Sequence, residues 1–149
     1  MTDAADIRRR MRAMRRALDE KAQQQAADAV YRRIVSLDVY RNARCVMAYA
    51  ACRGELALQR IMEDILAGGR ELALPRCEAP GVMTARRVDS LSRLTTGAYG
   101  LPEPDACCAI IDPTSIDLIL TPGTAFDLKG GRIGQAAATT TGFCRKRKR

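Results

Sequence analysis

The first part of the chain carries apolar residues at helical spacing. They are separated by four, three and four positions, which places them on one helix face, and they are Ile7, Met11, Met14 and Leu18. We predict one long helix over residues 3–36, with Asp3 or Asp6 as its N-cap. Asp19-Glu20 marks the point where a break in this helix would fall.

A continuous apolar run of strand length follows over residues 45–50, and residues 72–75 and 116–121 predict two further strands. A helical pattern over residues 55–66 separates the first two, and Gly68-Gly69 is expected to end that helix. A strand, a helix and a strand in this order predict a parallel pair of strands with a right-handed crossover. Residues 83–88 predict a further strand near an edge. The pattern therefore predicts a single α/β domain.

Composition narrows the class of protein. The chain has 149 residues, is 47% hydrophobic and contains no long apolar run, so we expect neither a transmembrane span nor a signal peptide. Its six cysteines are scattered without a C-x-x-C pair, which favours reduced thiols and a cytoplasmic protein. Because there is no histidine, zinc sites and histidine-dependent nucleophilic catalysis are poorly supported.

The net charge of +8 is concentrated at the two ends of the chain. The last five residues are all basic, and a second basic cluster lies in the first predicted helix (Arg8, Arg9, Arg10, Arg12, Arg15 and Arg16). The helical cluster is either a solvated face or a clamp for a polyphosphate. Aromatic residues make up 4% of the chain, so a base-stacking surface for nucleic acid is poorly supported and no specific nucleic-acid partner is expected.

A glycine-rich loop follows the last predicted strand. Pro122-Gly123 ends the strand, and Gly130-Gly131, Arg132 and Gly134 come after it. Glycines let backbone N–H groups approach an anion, and arginine offers several donors to phosphate. The loop is therefore either a phosphate site at the carboxyl edge of the sheet or a surface hairpin with a solvated arginine.

Taken together, the motifs resemble a known family. Tyr49 and Glu55 follow the first strand, YGLPEP occupies residues 99–104, and DLILTPGTAFDLKGGRIG occupies residues 117–134. This order resembles the 5-formyltetrahydrofolate cyclo-ligases, also called 5,10-methenyltetrahydrofolate synthetases. The resemblance implies a three-layer α/β/α fold, CoA-transferase-like, with a mainly parallel sheet whose C-terminal part is missing here. It also implies a monomeric, cytoplasmic enzyme that uses ATP and Mg²⁺ to convert 5-formyltetrahydrofolate to the methenyl form.

The resemblance also assigns site residues. It implies substrate binding by Tyr49, Ala50 and Glu55, and catalysis by Arg132. At the family's Mg²⁺-holding aspartate this chain has Thr141, and at its N-terminal lysine it has Ala4, for which Arg9 or Arg10 is a candidate replacement. The implied ATP site consists of Ala4, Ala5, Asp6, Ile7, Arg8, Arg132, Ile133, Gly134, Gln135, Ala136, Ala137, Ala138, Thr139 and Thr140.

The chain departs from the family pattern after Gln135. It reads AAATTTGFC where the family pattern is GGGYYDRFL. Codons chosen for GGGYYDRFL encode AAATTTGFC once a single G is deleted, so we interpret residues 1–135 as an incomplete cyclo-ligase-like domain and residues 136–149 as an out-of-frame tail. The alternative is a genuinely divergent tail. We expect little or no activity, which leaves a non-catalytic folate- or nucleotide-binding remnant, or a basic nucleic-acid-binding protein, as the other hypotheses.

Overall fold

The computed structural model describes residues 3–52, 54–97 and 99–134. Its helices are α1 (Ala4–Arg16), α2 (Glu20–Val35), α3 (Asp38–Asn42) and α4 (Gln59–Ala67). The longer strands are β1 (Cys45–Met47), β2 (Glu71–Ala79) and β3 (Val82–Val88). Six two-residue strands follow: β4 (Thr95–Thr96), β5 (Pro102–Glu103), β6 (Ile110–Ile111), β7 (Leu118–Ile119), β8 (Ala125–Phe126) and β9 (Arg132–Ile133).

The N-terminal region forms two helices, so the prediction of one long helix is wrong, although its break falls where the sequence indicated. Asp19 is the N-cap of α2, and its side chain accepts a hydrogen bond of 2.7 Å from the backbone N–H of Ala22. Such a cap satisfies a donor that the helix leaves unpaired and starts a new helix at this point. Asp3 occupies the N-cap position of α1 without a side-chain cap bond.

The central sheet has five strands in the order β6-β3-β2-β1-β7. β1 pairs in parallel with β2 and with β7, whereas β3 pairs antiparallel with β2 and with β6. Four strands therefore point the same way and only β3 is reversed, which confirms the predicted α/β fold with a mainly parallel sheet. Gly81, at φ +77°, makes the tight turn that reverses the chain between β2 and β3.

The predicted helix over residues 55–66 begins later than expected. α4 starts at Gln59, and Glu55 lies in the loop between β1 and α4. The reason is local, since the N–H of Glu55 donates to the carbonyl of Cys52 at 2.9 Å and closes a turn before the helix. At the other end, Gly69 has φ +67° and ends the helix as the sequence predicted. β1 and β7 are shorter than the segments 45–50 and 116–121 that predicted them.

Two apolar clusters cover the sheet, because successive side chains of a strand point to opposite faces. On one face the strand residues Val46 and Leu72 pack with Ile61 and Ile65 of α4 and with Tyr40 of α3. The cluster on the other face contains, in the part of the chain described, strand residues and Ile116 but no helical residue. No helix within the described ranges is long and apolar enough to span a membrane.

Candidate functional site

The loops that carry the predicted site residues leave the same edge of the sheet. β1 and β7 are parallel neighbours, with Met47 opposite Ile119. The loop after β1 contains Tyr49 and Glu55, and the loop after β7 runs from Leu120 to the hairpin β8–β9. Ligands of α/β proteins bind where such loops meet outside the carboxyl ends of the strands. The sheet thus places the two predicted half-sites side by side.

Hydrogen bonds connect described residues within the loop after β1. The hydroxyl of Tyr49 donates to the carbonyl of Leu56 at 3.1 Å, and the N–H of Cys52 donates to Oε2 of Glu55 at 3.2 Å. Gly54 lies inside this turn with φ +75°, a conformation that glycine adopts readily. Glu55 is half-buried and is held by its own turn, so its carboxylate has a defined position at the sheet edge.

Tyr49 is held in its neutral form by its surroundings. Burial raises the pKa of the Tyr49 hydroxyl to about 12, the nearby carboxylate of Glu55 also raises it, and the charge of Arg15 opposes the shift. At neutral pH Tyr49 is therefore a hydrogen-bond donor and not a base. Its bond to Leu56 uses this proton to tie the end of β1 to the following loop.

The loop after β7 ends in the hairpin β8–β9. The N–H of Thr124 donates to the carbonyl of Ile133 at 2.7 Å, and Oδ1 of Asp127 accepts a bond of 2.7 Å from the N–H of Gly131. A Cβ on Gly131 would lie 2.3 Å from a carboxylate oxygen of Asp127, so a larger residue here would displace the Asp127 side chain. Sequence reasoning identified the glycines as loop residues, but it did not predict the short strands β8 and β9.

Three half-buried arginines donate to carbonyls of this loop. Nε of Arg8 lies 2.9 Å from the oxygen of Gly134, and an Nη atom of Arg15 lies 3.0 Å from the oxygen of Gly123. Arg132 donates to the oxygen of Pro122 at 2.8 Å. Arg8 and Arg15 are seven residues apart, which places them on the same face of α1. Three guanidinium groups at one loop create a strongly positive site that suits a polyphosphate.

The other residues of the arginine cluster are arranged differently. Arg9 is exposed and pairs with Asp6 one turn away, and Arg10 is exposed. Ala4 and Ile7, in the first two turns of α1, are half-buried, while Ala5 and Asp6 face solvent. The structure therefore brings Arg8 of the predicted ATP segment to the loop and leaves Asp6 and Arg9 at the surface.

Ala50, Ile133 and Gly134 are half-buried beside the residues already described. The remaining predicted positions lie outside the described residues: Gln135, Ala136, Ala137, Ala138, Thr139, Thr140 and Thr141. Residues 3–52, 54–97 and 99–134 contain no group of three or more cysteines and carboxylates arranged to hold a metal ion.

Sequence reasoning missed two residues of the site. It treated Arg15 only as one of six basic residues, although its spacing from Arg8 indicated a shared face. It gave no role to Thr124, which is 7% exposed and whose Oγ1 has no hydrogen-bond partner among residues 3–52, 54–97 and 99–134. A buried hydroxyl without a partner is costly, and a ligand that bonds to it would remove the cost.

Comparison with known proteins relates the chain to folate enzymes. Residues 1–137 match the model of the 5-formyltetrahydrofolate cyclo-ligase family. A 5-formyltetrahydrofolate cyclo-ligase of Saccharomyces cerevisiae is 27% identical over 95% of this chain and 75% of the relative. A probable 5-formyltetrahydrofolate cyclo-ligase of Schizosaccharomyces pombe is also 27% identical, over 71% of this chain, which spans about half (54%) of that relative.

Solved structures give the same relationship. The chain is similar to the 5,10-methenyltetrahydrofolate synthetase of Aquifex aeolicus, with a TM-score of 0.85 and 27% identity over 96% of this chain and 72% of that one. It also resembles a 5,10-methenyltetrahydrofolate synthetase of Mycoplasma pneumoniae, with a TM-score of 0.76 over 97% of this chain and 78% of that one. The second similarity, at 12% identity, supports the fold alone.

Proposed function

The chain belongs to the 5-formyltetrahydrofolate cyclo-ligase family, which is a family of enzymes, and from this premise we propose that it binds 5-formyltetrahydrofolate and ATP at the two loops described above. The observation that carries the proposal is their position, since both loops leave the carboxyl edge of neighbouring parallel strands. A phosphoryl donor and its acceptor must be held close together to react, and two adjacent loops can hold them in this way. We expect the protein to act as a monomer.

The folate half of the site is proposed to consist of Tyr49, Ala50 and Glu55. The carboxylate of Glu55 is held by its turn and can accept hydrogen bonds from the N–H groups of a folate. The half-buried residues beside it offer partly apolar surface to a flat ring. Binding energy at this half of the site would orient the formyl group toward the neighbouring loop.

The nucleotide half is proposed to use Arg8, Arg132 and the hairpin between β8 and β9. Both guanidinium groups already lie at this loop. The hydroxyl of Thr124, which has no hydrogen-bond partner in the part of the chain that the structure describes, adds a polar atom that a ligand can satisfy. Residues 4–7 and 133–140 complete the proposed ATP segment. Mg²⁺ would accompany the nucleotide and balance the charge of its phosphates. The described residues offer no ligand cluster for this ion, and Thr141 lies outside them.

The proposed reaction follows from the chemistry of the formyl group. Its oxygen is a poor leaving group until it is phosphorylated. In the first step this oxygen bonds to the terminal phosphorus of ATP, and the bond from that phosphorus to ADP breaks. N10 of the folate then bonds to the formyl carbon and loses its proton, and phosphate leaves with the former formyl oxygen. Arg132 is the proposed catalytic residue, because its guanidinium stabilises negative charge on the transferred group.

Binding and turnover test the proposal separately. We expect the purified chain to bind 5-formyltetrahydrofolate in equilibrium titrations, and Glu55→Gln to weaken this binding about tenfold by removing a charged acceptor. Glu63→Gln is the matched control, since Glu63 is an exposed residue of α4 bonded to Gln59. Equal affinities of the two variants, or no folate binding by the wild type, would refute the proposed site. Turnover is followed by the absorbance of methenyltetrahydrofolate, and folate binding without turnover identifies a non-catalytic remnant.

We further propose that residues 1–135 form the cyclo-ligase-like domain and that residues 136–149 are read out of frame. The support is the nine-residue correspondence between AAATTTGFC and GGGYYDRFL after one deleted base. Resequencing the gene across the codons for residues 135–144 tests it. An additional base would restore GGGYYD. The proposal is refuted if the sequence is unchanged and the downstream DNA encodes no family C-terminus in another frame.

A further inference from the structure

Arg15 connects the two halves of the proposed site. Its guanidinium donates to the carbonyl of Gly123, which is 108 residues away in the chain. Its aliphatic part passes the turn after β1, because a Cβ built on Gly54 would lie 3.5 Å from Cδ of Arg15. Its charge also acts on the Tyr49 hydroxyl and opposes the rise of the Tyr49 pKa. A single side chain of α1 therefore lies against both loops.

Most donors of Arg15 remain available for a ligand. The bond to Gly123 uses one Nη atom, and it is the only hydrogen bond that this side chain makes within the described residues. A guanidinium carries five N–H donors in a fixed plane, so several can still reach an anion. Because Arg15 is half-buried, a bond from it to phosphate is screened less than one from an exposed arginine such as Arg16.

We propose that Arg15 binds the terminal phosphoryl group of ATP, the group that passes from the nucleotide half of the site to the folate half. This inference rests on the proposed function, and it adds a residue that touches the reacting group. Arg8 and Arg132 also donate to the nucleotide loop. Arg15 differs from them because the described contacts place it beside the folate loop as well. The terminal phosphoryl is the part of ATP that must approach the folate, so it is the part nearest to such a side chain.

The proposal predicts that Arg15 contributes to the affinity for ATP, which has the terminal phosphate, more than to the affinity for ADP. Removing the guanidinium in Arg15→Met is expected to weaken ATP binding about tenfold, the usual effect of losing a charge-assisted hydrogen bond. ADP lacks the contacted group, so its affinity is expected to change less than about twofold. Arg16→Met is the matched control, since Arg16 is the exposed neighbour on α1 and its loss is expected to change neither affinity. Calorimetric titrations with MgATP and MgADP measure the two affinities of the wild type and of each variant.

The outcomes separate this inference from the proposed function. Equal losses of ATP and ADP affinity in Arg15→Met would mean that Arg15 only holds the loop in place. An unchanged ATP affinity would mean that Arg15 makes no contact with the terminal phosphoryl group. Either result overturns the inference. If Arg15→Met does not fold, Arg15→Lys replaces it, and this variant is expected to lose part of the preference for ATP over ADP. A wild-type chain that binds neither nucleotide refutes the proposed function itself. Equal binding of ATP and ADP by the wild type refutes only the role of Arg15.

Discussion

Replacing Gly54 with alanine tests whether the turn after β1 positions the folate half of the site. Gly54 has φ +75°, and an alanine in this left-handed region costs about 1 kcal/mol. The new methyl group would lie 3.5 Å from Cδ of Arg15, which is ordinary van der Waals contact, so no steric clash adds to this cost. For a chain of this size, about 1 kcal/mol corresponds to a fall of roughly 3 °C in Tm.

Gly81 supplies the matched control. It has φ +77° in the turn between β2 and β3, and no contact within 4 Å of its built Cβ is found among the described residues. Gly81→Ala is therefore expected to lose the same ~1 kcal/mol of unfolding free energy as Gly54→Ala. Only Gly54→Ala should also weaken folate binding several-fold, because relief of its strain loosens the bonds between Cys52 and Glu55.

Two measurements decide the matter. Urea denaturation followed by circular dichroism gives the free energy of unfolding of each variant, and equilibrium titration gives its affinity for 5-formyltetrahydrofolate. An unfolding free energy of Gly54→Ala equal to that of the wild type would refute the reasoning about backbone strain. Equal folate affinities of Gly54→Ala and Gly81→Ala would refute the role of the turn in positioning Glu55.

Two further predictions concern the buried Tyr40 and the half-buried Tyr49. Tyr40 is 2% exposed, and its hydroxyl donates to Asp64 at 2.6 Å, so Tyr40→Phe should lower the free energy of unfolding by about 1.5 kcal/mol in urea denaturation. The ring of Tyr31 lies under Arg60, and Tyr31→Phe should change this free energy by less than about 0.5 kcal/mol. Similar losses in the two variants would contradict this prediction. The raised pKa of Tyr49 stabilises the fold below pH 10, and this contribution is lost as the pH rises through about 12. Tyr49→Phe should therefore show a shallower loss of stability between these pH values than the wild type, and parallel curves would disprove the effect.

Much of the fold could be predicted from local pattern. The apolar run at residues 45–50 predicted β1, the repeat at 55–66 predicted most of α4, and Gly68-Gly69 predicted its end. The prediction failed at Glu55, because an acidic residue suits the first turn of a helix as well as it suits the turn that it occupies here. It also missed the role of Asp19, which the sequence indicated only as the site of a break and which acts as the N-cap of α2.

Part of the candidate site could likewise be predicted from the sequence, and part could not. The glycines and Arg132 of the loop after β7 were visible in the sequence, since turn residues and a cation in one short segment predict an anion site. The role of Arg15 was not visible, because its contact with Gly123 joins residues 108 positions apart. Seven-residue spacing placed Arg8 and Arg15 on one helix face, but it did not show which loop that face would meet.

By itself, the sequence determined the approximate positions of β1, β2, β3 and β7, most of α4, the glycine-rich loop after β7 and the membership of a family. Periodicity, turn chemistry and motif order are properties of short segments, which is why the sequence carries them. The tertiary structure alone decided that β3 runs against its neighbours and that α1 turns Arg8 and Arg15 onto the loop after β7. It also decided that Arg15 passes the turn after β1. The physical reason is that periodicity reports which side of an element is buried, while the packing of distant elements chooses the partner that each buried or charged group meets.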